Sequence, residues 1–166
     1  MAIIMTRALW DAQTATAAAV PGACSRSPLA QFAGEYNRNR LGCPSTGGNS
    51  SVWMAMQSFD GGVMFWRHDT DKIYVLYHSR DWARFDDVWL EGDAEFSCGT
   101  QESPPTPKRG FGRIWCDHNS VRNGLGNARD AEWGAAGATQ DFERGAIVLA
   151  PSGRTYVLYS DNGTWR

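Results

Sequence analysis

Carboxylates are the first residues whose types and spacing could do chemistry. His68-Asp69-Thr70-Asp71 sets an imidazole and two carboxylates within four positions, Asp60 precedes them and Asp86-Asp87 follows. Oxygen ligands grouped this closely can hold calcium, but Asp also closes tight turns by hydrogen bonding its own backbone. The turn reading is preferred, because the corresponding stretch in the second half of the chain, Pro151-Ser152-Gly153-Arg154, has neither carboxylate nor His. Glu35, Glu91, Glu95, Glu102, Glu132 and Glu143 could furnish a pair for glycoside hydrolysis. No nucleophile elbow, zinc-protease helix motif or phosphate-binding loop accompanies them, so no catalytic residue is assigned.

Four cysteines, Cys24, Cys43, Cys98 and Cys116, form an even set with closely similar spacing in the two outer pairs. Zinc is disfavoured: there is no CxxC, and His68, His78 and His118 stand at no ligand spacing from the cysteines. Three pairings are possible, and Cys24 with Cys43 and Cys98 with Cys116 is preferred because each closes a local loop within one half. Oxidised pairs imply an extracytoplasmic compartment, so an extracellular or cell-surface location is expected. Neither a metal nor a cofactor is expected.

The third chemical resource is aromatic. Eight Trp and 18 Gly in 166 residues exceed ordinary usage and point to many turns and to aromatic packing or binding surfaces. Trp53, Trp66, Trp89 and Trp133 are the candidate ligand-binding residues, since the apolar face of a sugar ring suits an indole. Trp82 with Trp165, and Tyr74 with Tyr156, recur between the halves and are assigned instead to hairpin-anchoring core.

These residues are positioned by an internal repeat. Arg38-Asn39-Arg40-Leu41-Gly42 returns as Arg122-Asn123-Gly124-Leu125-Gly126, Gln57-Ser58-Phe59-Asp60-Gly61-Gly62 as Gln140-Asp141-Phe142-Glu143-Arg144-Gly145, and Tyr74-Val75-Leu76-Tyr77 as Tyr156-Val157-Leu158-Tyr159. The offset stays between 82 and 84, which makes the chain a tandem duplication. Upstream, Phe32 and Tyr36 in one copy and Phe111 and Trp115 in the other are four apart, which predicts one helix face in each, ended by the glycine of the RNxLG block. Hairpins are predicted over 63–67 with 73–77 and over 146–150 with 155–159. The expected fold is therefore α+β: two tandem helix-plus-β-hairpin repeats packed as one pseudo-symmetric, disulfide-stapled domain. Its divisions are an N-terminal arm or leader (1–22), copy one (23–91), a Pro-rich connector (92–110, with Pro104-Pro105-Thr106-Pro107) and copy two (111–166).

Leu41-Gly42-Cys43-Pro44, followed by Gln57 to Gly62 and Val63-Met64-Phe65-Trp66, resembles the LGFP repeat of bacterial cell-surface proteins. The second copy is similar through Leu125-Gly126 and Gln140 to Gly145, with Asn127-Ala128 where the LGxP proline would stand. The resemblance implies association with the cell wall or its glycans.

A formal net charge of -2 and scattered basic residues exclude the basic field that nucleic-acid binding needs. No run approaches the roughly 18 apolar residues of a membrane span, and residues 1–22 make a poor signal peptide, being interrupted by Trp10, Asp11 and Gln13. The expected function is a non-catalytic binding or anchoring module contacting envelope polysaccharide or a surface protein. A subunit of a surface assembly, joined as a homo-oligomer through the N-terminal arm, and a glycan-cleaving hydrolase are the alternatives.

Overall fold

The computed structural model describes residues 22–166. The arm over 1–22, and the oligomerisation expected of it, lie outside the described residues except for Gly22. In each half a long strand is followed by three shorter ones. The first half gives β1 (Asn49–Phe59), β2 (Gly62–Arg67), β3 (Lys72–Tyr77) and β4 (Trp82–Asp86); the second gives β5 (Trp133–Phe142), β6 (Gly145–Leu149), β7 (Thr155–Tyr159) and β8 (Thr164–Trp165). Their order in a single antiparallel sheet is β4-β3-β2-β1-β5-β6-β7-β8.

The expected α+β fold of two helix-plus-hairpin units is overturned. The molecule is mostly an eight-stranded antiparallel sheet, curled until it is nearly a barrel. Hairpins are present at the predicted places, as β2–β3 and β6–β7, but they are the middle of a four-stranded meander in each half. Helix is sparse. Residues Ala30–Phe32 form one 3-10 turn, so Phe32 and Tyr36 do not share a helix. The helix α1 (Arg38–Leu41) begins only at Asn37, whose side-chain oxygen accepts from the amides of Asn39 (3.0 Å) and Arg40 (3.3 Å). Phe111 and Trp115 do lie on one helix, α2 (Arg109–Asp117), which runs on into α3 (Asn119–Leu125).

These short helical blocks cover the sheet crosswise. Phe111, Ile114, Val121 and Leu125 of the second half pack on Phe59, Met64, Ile73 and Val75 of the first. Phe32 and Leu41 of the first half pack on Phe142, Ile147, Val157 and Tyr159 of the second. Matching hydrogen bonds pin both blocks: the Gly61 amide donates to the Leu125 carbonyl (2.7 Å) and the Arg144 amide to the Leu41 carbonyl (2.9 Å). The Gln57 side-chain amide donates to Asp130 O (3.0 Å), as that of Gln140 does to Thr46 O (3.1 Å). Gly42 and Gly126 end the blocks at φ 75° and 68°, a region that costs an L side chain energy. Their carbonyls accept from the Tyr36 hydroxyl and the Trp115 indole, each at 2.9 Å.

The sheet's two edge strands meet through the repeated tryptophans. The Trp82 amide donates to Gly163 O and the Trp165 amide to Arg80 O (2.9 and 2.8 Å), while their indoles donate to Tyr159 O and Tyr77 O (3.0 and 2.9 Å). Edges paired in this way offer no template for further strand addition. Inside lie Val52, Met54, Met56, Phe65, Tyr74 and Leu76 from the first half, and Val148, Tyr156, Leu158 and Trp165 from the second. Two disulfides, Cys24–Cys43 and Cys98–Cys116, staple the segments outside the sheet. Each closes a loop short enough to contribute about 3 kcal/mol through the unfolded chain. They fit an oxidising compartment.

Among the described residues one charged side chain stands in the interior. Arg67 is 1% exposed, and its guanidinium holds Asp141 (2.8 and 3.1 Å), Asp69 (3.1 and 2.9 Å) and the Tyr74 hydroxyl (3.3 Å). Burial alone would lower the Arg67 pKa, but the hydrogen bonds to Asp141 and Asp69 more than offset it and the pKa is raised. Truncating the partner that can reach water strands the buried charge, whereas removing the charge itself does not. Asp141→Ala is therefore expected to cost about 3 kcal/mol in urea unfolding, and Arg67→Met less. The reverse ranking would refute this view of the ion cluster.

Candidate binding groove

The site grows from one row of residues on the outer face of the sheet. Ile73, Trp66, Ala55 and Gly134 are successive register partners across β3, β2, β1 and β5, so their side-chain positions share a face. Trp53, two residues before Ala55, faces the same way and is 54% exposed. A Cβ at position 134 would lie 2.8 Å from Trp53 Cζ2, so the missing side chain of Gly134 leaves room for the indole to lie across β5. Trp66 is fixed by its indole N–H, which donates to Asp71 Oδ1 (2.9 Å).

The opposite wall comes from the loop after β4 and from the start of α2. The Trp89 amide donates to Asp87 Oδ1 (3.0 Å) and its indole to Ala94 O (3.1 Å). Arg109 opens α2 at φ 52° and Asp71 sits at φ 53°, two of the three non-glycine residues in the left-handed region among the described residues. Such conformations cost energy and tend to gather at functional sites. The Arg109 guanidinium lies 5.7 Å from the Trp89 ring centroid, 3.4 Å from a Glu95 oxygen and 3.7 Å from Glu132 Oε1.

Together Trp53, Trp66, Trp89, Phe111, Asp71, Asp87, Glu132 and Arg109 line a groove of about 330 Å³. That is the lower end of the range for small-ligand sites. Three of the four candidate tryptophans thus converge. Trp133 does not: its register partner is Met56, a residue of the barrel interior, so it stands on the other face of the sheet. Trp82 and Trp165 lie at the seam between the edge strands.

The groove has no twin. Ala136 and Leu149 occupy the places that Trp53 and Trp66 hold in the first half, by the offset of 83 that relates Gln57 to Gln140. The carboxylates near the 68–71 turn divide between two environments: Asp69 turns to Arg67 and Asp71 to the groove. Among the described residues no group of His, Cys, Asp and Glu is arranged to hold a metal ion. No helix there is long and apolar enough to cross a membrane.

Of the groove residues, Arg109 is not singled out by sequence reasoning, and Asp87 and Glu132 stand there only among many available carboxylates. Asp87 lies two residues from Trp89 and Glu132 beside Trp133, but the register that brings them together is set by strands with weak local patterns. Burial raises the pKa of Asp87 against the lowering effect of its bond from Trp89 N. Burial raises that of Glu132 as well, against the pull of Arg109 and Lys108. Both carboxylates are partly buried, and the groove holds more carboxylate than its single arginine offsets. Compared with known proteins, the chain matches no family model, no curated sequence and no solved structure.

A carboxyl whose pKa is higher folded than unfolded binds more protons in the native state. It favours the fold increasingly as pH falls through the folded pKa, and at neutral pH its ionised form costs stability. Glu132→Gln is therefore expected to raise the melting temperature at pH 7 and to lose that advantage below the ordinary carboxylate range, near pH ~4. A variant less stable than the parent at pH 7 would contradict the burial argument.

Proposed function

We propose that the protein is an extracytoplasmic binding module that takes a sugar ring or chain end in the tryptophan groove. One observation carries this reading: Trp53, Trp66 and Trp89 line one cavity together with Asp71 and Asp87. Indole faces supply the apolar platform that pyranose rings prefer, and carboxylates accept from sugar hydroxyls. The disulfides support an extracellular or cell-surface location. The short motifs shared with LGFP repeats support the cell envelope as the setting, with wall polysaccharide as the partner.

A second reading, glycan cleavage, is favoured by a separate observation: Asp87 and Glu132 both carry raised pKa values in the same groove. An upward shift is the direction that a general acid requires. Release of reducing ends from a bound polysaccharide separates the two readings. A binding module leaves the polysaccharide intact, and a hydrolase shortens it and loses that activity on Glu132→Gln.

On a glycan array and in pull-down with insoluble wall polysaccharide, Trp53→Ala and Trp66→Ala are each expected to weaken binding at least about tenfold. Trp53→Ala should leave the melting temperature nearly unchanged, since its ring is half exposed. Unchanged binding by both folded variants would sink the assignment of the groove.

A further inference from the structure

The crosswise symmetry of the halves makes the two ends of the barrel comparable, and they are not filled alike. At one end Arg67 is clamped by Asp69 and Asp141, leaving a hollow of about 160 Å³. By the same offset of 83, Ala150, Ser152 and Ser58 stand at the other end in the places of Arg67, Asp69 and Asp141 respectively. Loss of the guanidinium leaves a mouth of about 320 Å³, lined by Ser58, His78, Arg129, Ser152 and Arg154 over a floor that includes Tyr156 and Trp165.

The balance of charge at this mouth differs from that of its counterpart: Ser152 and Ser58 stand where Asp69 and Asp141 do, and the charged residues in its lining are Arg129 and Arg154. Arg154 stands at the register position of Lys72, opposite Ala150 as Lys72 is opposite Arg67, and its guanidinium is held over the Tyr156 and Trp165 rings, 5.2 and 5.4 Å from their centroids. No ion pair engages Arg154 among the described residues. Among the described residues the carboxylate paired with Arg129 is Asp60, at 3.9 Å and largely exposed. Stacking of this kind fixes a guanidinium in place while leaving its N–H donors free to meet an oxyanion. Tyr156 corresponds to Tyr74, whose hydroxyl meets Arg67; here Ala150 has removed that guanidinium.

We infer that the open end of the barrel is a second ligand site, which binds a carboxylate or sulfate group carried on a small ring-shaped body. Arg154 and Arg129 take the oxyanion, the two serines and His78 add hydrogen bonds, and the ring lies toward Tyr156 and Trp165. The site is independent of the tryptophan groove, which lies outside the sheet under α2. It extends the protein's reach to acidic sugars or other small carboxylates.

The test titrates the full chain at low ionic strength with D-glucuronate, sodium sulfate and, as the neutral comparison, D-glucose. Glucuronate is expected to bind with a dissociation constant on the order of millimolar and glucose not measurably. Arg154→Gln and Arg129→Gln should each weaken glucuronate about tenfold, the loss of one charge-assisted contact. Trp66→Ala should bind it as the parent does. The triple change Ser58→Asp, Ala150→Arg, Ser152→Asp rebuilds the plug of the closed end and should abolish binding, with thermal melting confirming the fold. Sulfate that competes on equal terms assigns the affinity to the oxyanion and supports the site. Glucuronate binding no tighter than glucose, arginine variants that bind like the parent, or loss of binding on Trp66→Ala would each overturn the inference.

Discussion

The antiparallel pairing of β1 with β5 is the constraint on which the rest of the molecule depends. It joins the halves at the centre of one sheet, with Val52 opposite Gly137 and Met56 opposite Trp133. Each half then presents an apolar outer face that its own short helical block does not cover. The other half's block does so, Leu125 over the first half and Leu41 over the second. A meander of four strands buries too little surface alone to offset its chain entropy. Crossing the covers turns two marginal units into one, and the Trp82 and Trp165 contacts at the far edges complete the closure.

The proposed function rests on where the halves depart from one another. Residues that hold the crossed architecture recur: the RNxLG block, the buried Gln57 and Gln140, and the seam tryptophans. Residues that give surfaces their chemistry do not. Trp53 and Trp66 face Ala136 and Leu149 across the symmetry, and Arg67 faces Ala150. Two halves of like topology thus differ by an aromatic groove with surplus carboxylate on one outer face, and by a basic mouth at one barrel end where the other end is plugged.

Much of this was legible from residues alone. The offset of 82 to 84 relates strands in matching places of the two meanders, and the cysteine spacing anticipated both disulfides; of the four tryptophans proposed for binding, Trp53, Trp66 and Trp89 share a groove and Trp133 stands on the other face of the sheet. The architecture was not legible, because its central strand has little strand propensity. In β5 the run Gly134-Ala135-Ala136-Gly137-Ala138 looks like a connector. Small residues are required there by close approach: a Cβ at 137 would sit 2.4 Å from Leu149 O, and one at 134 would meet Trp53. The period-2 burial of Val52, Met54 and Met56 in β1 was readable, but only tertiary packing shows that β1 pairs with β5. The edge strands β4 and β8 are short and partly exposed, and only the seam between them explains their presence. Helix was over-assigned in the first half because two aromatics four residues apart also suit a 3-10 turn running into a separately capped helix.

Native-state hydrogen exchange tests the crossed, single-unit architecture most directly. The buried amides of Phe65 and Val75 in the first half and of Val148 and Val157 in the second should open only by global unfolding. Their opening free energies are then expected to agree within about 1 kcal/mol and to fall together with added denaturant. Two plateaus, with one half opening at markedly lower free energy while the other stays protected, would contradict the account.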